Sequence, residues 1–175
     1  MNTMKLGDHL QRASILVLVH PGSACGSANF NLGDAQAQAC RALIADELAT
    51  WEGGVIVIDG ALSDELPAYP ELQKTISDAL CRAKASGQSS VRVWGDDPDQ
   101  VPRIRELAEQ AGPAFKAASF TVTGAWYHPE DASGCVGSVI QELRLCGCEA
   151  EVSSSAVCLP MDLDAVGHVS AARER

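Results

Sequence analysis

Two kinds of segment alternate along this 175-residue chain, and that alternation restricts its fold more than any other feature. Residues 15–19, 55–58, 91–93, 120–123 and 150–157 are short and rich in β-branched side chains, and the first two runs are apolar throughout. Continuous apolar runs of this length suit strands buried on both faces. Between them lie segments whose apolar residues recur at helical spacing: Ala35, Ala39, Leu43, Leu48 and Trp51; Leu72, Ile76, Ala79, Leu80 and Ala83; Val101, Ile104, Ala108 and Ala111; Val136, Ile140 and Leu143. Each set forms one stripe on a helix. Strand and helix in strict succession predict an α/β fold: a three-layer αβα sandwich around a mainly parallel, doubly wound sheet of about five strands. No linker, repeat or low-complexity stretch divides the chain, so residues 1–175 read as one domain.

Local punctuation sharpens the boundaries. Asp97 is placed to cap the third helix, Pro98 to occupy its first position, and Gly112-Pro113 to close it. The fourth helix is expected to start near Ser133-Gly134-Cys135 and to end at Gly147. Residues 60–70 and 126–134 are the longest predicted loops, and the final dozen residues are expected to form a short helix or to fray.

Charge and cysteine content narrow the function. With 23 acidic and 13 basic residues the net charge is −10, which argues against a nucleic-acid surface and against a membrane surface. The seven cysteines are odd in number, show no paired framework and contain no CxxC, so free thiols and a cytoplasmic location are expected. Residues 15–19 are too short for a membrane span or a signal-peptide core. The acidic stretches at 59–65, 96–99 and 162–164 read as solvated loop and helix-start charges.

In an open parallel sheet, ligands bind beyond the carboxyl ends of the strands, where the strand order reverses. Cys135 is the leading candidate there, because it falls where the chain enters the fourth helix. Amide donors and partial positive charge at a helix start stabilise a thiolate and can hold an oxyanion. The plain alternative is a small buried apolar residue, and Cys40, Cys81, Cys146 and Cys148 suit that reading better.

The stretch Val122-Thr-Gly-Ala-Trp126, Gly134-Cys-Val136, Leu143-Arg-Leu-Cys-Gly147, Ser155-Ala-Val157 and His168 resembles the end of the isochorismatase-like cysteine hydrolases. The resemblance covers roughly the last third of the chain. It implies an open parallel sheet, a nucleophilic Cys135, an Asp base ending the first strand and a Lys after a later strand. This chain departs from that pattern: its first strand runs into His20-Pro21-Gly22, Arg92 follows Val91 where no Lys is found, and no His follows Asp59. Nicotinamidase-type metal chemistry is therefore not expected. The resulting expectation is a divergent small-molecule hydrolase using Cys135 with His20 as acid/base and Arg92 as substrate anchor, without a cofactor, or else a relative that has lost catalysis and binds a small molecule or partner.

A competing reading comes from the loop after the first strand. Ser23, Cys25, Gly26 and Ser27 resemble the phosphate loop of flavodoxin-like FMN proteins, with Trp94 and Trp126 as aromatic walls for the flavin. The loop matches neither a Walker motif nor a dinucleotide fingerprint. A metal held by His20, Cys25, His128 and Cys135 is a third arrangement, without supporting local spacing. Homo-oligomerisation is ordinary for this fold, but the sequence names no interface residue.

Overall fold

In a computed structural model, residues 13–24, 34–60, 63–95 and 98–158 are described. Five strands form one parallel sheet: β1 (Ser14–Val19), β2 (Gly54–Asp59), β3 (Ser90–Trp94), β4 (Ser119–Ala125) and β5 (Glu149–Cys158). Their order is β3-β2-β1-β4-β5, so the apolar run at 15–19 occupies the centre. Leu16, Val17, Leu18 and Val19 are wholly buried, as strands covered on both faces require.

The helices divide between the faces. Leu16, Leu18, Val55 and Val57 pack against α1 (Asp34–Thr50) and α2 (Pro70–Ala85). Val17, Val19, Ile56, Ile58, Phe120 and Val122 pack against α3 (Gln100–Ala111), the short α4 (Pro113–Ala117) and α5 (Gly134–Leu145). This is the expected three-layer arrangement. Alternate side chains of each strand point to opposite faces, so one run of β-branched residues supplies both cores.

Three sequence expectations need correction. The third helix begins at Gln100, with Asp99 before it and Pro98 in a turn, so the Asp97-Pro98 start signal did not set its first residue. The buried stripe of α1 is Ala37, Cys40, Ile44 and Leu48, whereas Ala35 and Ala39 are exposed and Leu43 is 45% exposed. An alanine-rich helix offers apolar residues on several faces, and packing against α2 and β5 selects one of them. Three short helical pieces were not foreseen: the 3-10 turn Pro21–Ala24 directly after His20, the 3-10 turn Ser63–Ala68 inside the predicted 60–70 loop, and α4 directly after Gly112.

β5 is irregular. Val122 pairs with Val152 but Gly124 pairs with Val157, so β5 carries extra residues between these points. Ser153 in that bulge donates a 2.6 Å hydrogen bond to the Glu47 carboxylate on α1. No helix among the described residues is long and apolar enough to cross a membrane.

Candidate active site

The order of the strands reverses between β1 and β4: the connection from β1 leads to β2 on one side, and that from β4 leads to β5 on the other. The carboxyl ends of these two strands are the switch point of the fold. Val19 pairs with Gly124, so His20 and Ala125 leave the sheet side by side.

His20 is buried and held at three points. Its amide donates to the Ile58 carbonyl at 2.8 Å, and its carbonyl accepts from the Ser23 amide at 3.0 Å. Its ring Nε2 lies 2.7 Å from the Gly95 carbonyl oxygen. A carbonyl only accepts, so Nε2 carries the hydrogen, and in the neutral ring Nδ1 is the nitrogen with the lone pair. Gly95 is itself fixed by its amide donating to the Asp59 carbonyl at 2.9 Å. A Cβ at position 95 would meet Arg103 Cγ at 2.8 Å and Gln100 Cα at 3.0 Å. The imidazole is therefore clamped across β2 by the turn that follows β3.

Cys135 is the second residue of the twelve-residue α5. The helix start rests on the loop before it: Val136 N–H donates to the Trp126 carbonyl at 3.1 Å. A Cβ on Gly134 would come within 2.4 Å of that same oxygen, and one on Gly137 within 2.0 Å of the Ala132 oxygen. The loop is closed by His128 N–H donating to the Ser133 carbonyl and Ser133 N–H donating to Asp131 Oδ1, both near 3 Å. The hydrogen bonds from Ser133 hold the Asp131 carboxyl below the usual carboxylate range. Cys135 is half-buried against Ala37, Ala125 and Trp126. His20, Trp126 and Ala132 all have positive φ, at 50°, 72° and 55°. Such left-handed non-glycine residues cost about 1 kcal/mol or more each, and they concentrate at functional edges.

Arg92 makes a bidentate pair with Asp59, Nε to Oδ2 at 2.6 Å and Nη2 to Oδ1 at 3.0 Å. The hydrogen bonds it donates to Asp59 push the guanidinium pKa further up against the opposing effect of burial. The arginine side chain is 37% exposed against 12% for the aspartate, so the pair presents its cationic side outward. Arg92 lies on edge strand β3, two strands from β1.

The residues proposed for a flavin are spread more widely. Trp94 is 54% exposed at the end of β3, whereas Trp126 is buried beyond β4 against Ala37 and Ala125. Three strand spacings of about 4.8 Å separate β3 from β4. Ser23 is buried, with its amide spent on His20. Cys25, Gly26, Ser27 and His168 lie outside the described residues. His128 is exposed, and no three His, Cys, Asp or Glu side chains converge as a metal site among the described residues.

Sequence reasoning missed the Gly95 carbonyl and the Asp59 partner of Arg92. A cation inside an apolar strand, beside a strand ending in Asp, was the available signal for the second. The first depends on a tertiary contact between positions 75 residues apart.

Burial chiefly raises the pKa of Cys146 and Cys148 above the ordinary thiol value of about 9. The folded chain therefore holds these two protons more tightly than the unfolded chain. The resulting stabilisation is complete below pH 9 and is lost as pH rises through the folded-state values. Thermal melts are expected to hold level at neutral pH and to decline on the alkaline side, and Cys148→Ala should make that decline shallower. An unchanged alkaline slope in the variant would contradict this linkage.

No protein-family model matches the chain, and no curated protein matches it. Among solved structures it is similar to the MAR1 ribonuclease from Caenorhabditis elegans, at 14% identity and a TM-score of 0.46, over 90% of this chain and 71% of that one. A likeness of that size carries no argument for fold or function, so the functional reading rests on this chain's own residues.

Proposed function

We propose that the protein is a divergent, cysteine-dependent hydrolase of small molecules, of the isochorismatase-like kind that its last third resembles. The observation that carries this reading is the placement of Cys135 in the first turn of α5, packed against Ala125 at the end of β4, the strand that pairs with the one leading into His20. Cys135 is the nucleophile. His20 is the acid/base, through Nδ1, because Nε2 is committed to Gly95. It stands at the end of the first strand, where the family pattern has Asp.

The chemistry follows from those roles. Nδ1 takes the thiol proton, and the sulfur attacks an electrophilic carbonyl carbon of the substrate. Two amides near the helix start are already spent, Ser133 on Asp131 and Val136 on Trp126, so we assign the Gly134 amide as oxyanion donor. The imidazolium returns its proton to the leaving group, and water then hydrolyses the thioester. Arg92, tied to Asp59 but open on its outer side, is the candidate anchor for a substrate carboxylate.

Peptide-mapped alkylation with iodoacetamide at neutral pH tests the assignment. Cys135 is expected to react about tenfold faster than the exposed Cys81 despite its lower exposure, and His20→Asn should remove most of that advantage. If Cys135 reacts no faster than Cys81, the nucleophile assignment fails. The purified protein is expected to be colourless, and a flavin absorption band would favour the FMN reading instead.

A further inference from the structure

A second surface lies at the opposite edge of the sheet. The helices run against the strands, so the carboxyl ends of α3 and α5 meet near the amino ends of β4 and β5. A groove of about 660 Å³ opens there between α3, α4 and α5. Its lining includes Ala108 and Pro113, and Leu145 stands at its side with 81% of its surface exposed. No other large hydrophobic residue among those described is as exposed. A protruding leucine beside an apolar hollow is a knob and a hole on one face.

The charges of the groove are arranged in the same self-matching way. Arg105 is held by the buried Glu142 at 2.9 Å. Lys116 and Glu109, both exposed, make no salt bridge among the described residues. A cation and an anion on the same patch complement a second copy of that patch when a two-fold axis passes midway between them, because each then faces its counterpart. The chain as a whole carries −10, so two copies repel except where charge is locally balanced. Here the groove charges balance: Arg105 and Lys116 against Glu109 and Glu142.

We propose that this groove is the contact face of a symmetric homodimer. Leu145 of each copy enters the groove of the other, and Lys116 of each copy pairs with Glu109 of the partner subunit. The contact leaves the carboxyl edge of both sheets open, and it does not depend on the hydrolase reading.

The test is the molar mass in solution, by light scattering on a sizing column and by sedimentation. The wild-type chain is expected at twice its 18.4 kDa monomer mass, and Leu145→Asp at the monomer mass with an unchanged circular dichroism spectrum. Lys116→Glu and Glu109→Lys should each weaken association about tenfold, and the double exchange should restore most of it, since reciprocal pairs survive a swap. A wild-type chain that stays monomeric at about 100 µM overturns the proposal. So does a dimer that Leu145→Asp leaves intact, or a charge swap without rescue.

Discussion

Gly124→Ala is expected to destabilise the fold by about 4 kcal/mol or more, a large share of the roughly 5–15 kcal/mol available to a domain of this kind. Gly124 adopts φ +123° within β4. A Cβ there would lie 2.0 Å from the Val19 carbonyl oxygen and 2.8 Å from the Val19 nitrogen. Both atoms are main chain of the central strand, so relief requires β1 and β4 to separate, with the loss of hydrogen bonds beside His20. Gly87→Ala is the control: it also has positive φ, at +70°, but nothing lies within 4 Å of the added carbon. That change should cost only about 1 kcal/mol, from backbone conformation alone. Denaturant titration of both variants separates the two effects. If Gly124→Ala unfolds at the same midpoint as Gly87→Ala, the close approach of the strands is not what demands glycine.

Phe120→Ala is expected to cost about 3–5 kcal/mol, through lost burial and the cavity left behind. Phe120 is 1% exposed, and its ring centroid lies 4.7 Å from that of Phe115, tilted by 44°. That contact fastens α4 to β4, the strand that carries Trp126 and the start of α5. For a chain of this length the loss corresponds to a fall in Tm of roughly 6–20 °C. Leu43→Ala makes the informative comparison, because helical spacing had placed Leu43 on the buried stripe of α1, whereas it is 45% exposed. It should cost well under half as much. Equal losses in the two variants would mean that the buried face of α1 has been misassigned.

That comparison also marks where the sequence was legible. The runs at 15–19 and 55–58 required burial on both sides, and with helices between them the parallel sheet followed. The position of Cys135 at a helix start was equally readable, because Gly134 and the strand before it are local features. The start of α3 was not, since the Asp97-Pro98 signal yielded to a turn that places Gln100 against Gly95. Nor was the stripe of α1, where small residues on several faces left the choice to tertiary packing. His20 was singled out by its place after the first strand. The clamp on its ring stayed hidden, because a backbone carbonyl leaves no mark in residue identity.

The left-handed turn at His20 has a further consequence for how this edge can change. Among side chains other than glycine, asparagine, aspartate and histidine are the ones that accept such a backbone most readily. A carboxylate in place of the ring would therefore need no remodelling of the main chain, although it would forfeit the bond to Gly95. Imidazole and carboxylate are interchangeable parts on an unaltered scaffold here, so the side chain that this strand end presents can change while the architecture stays put.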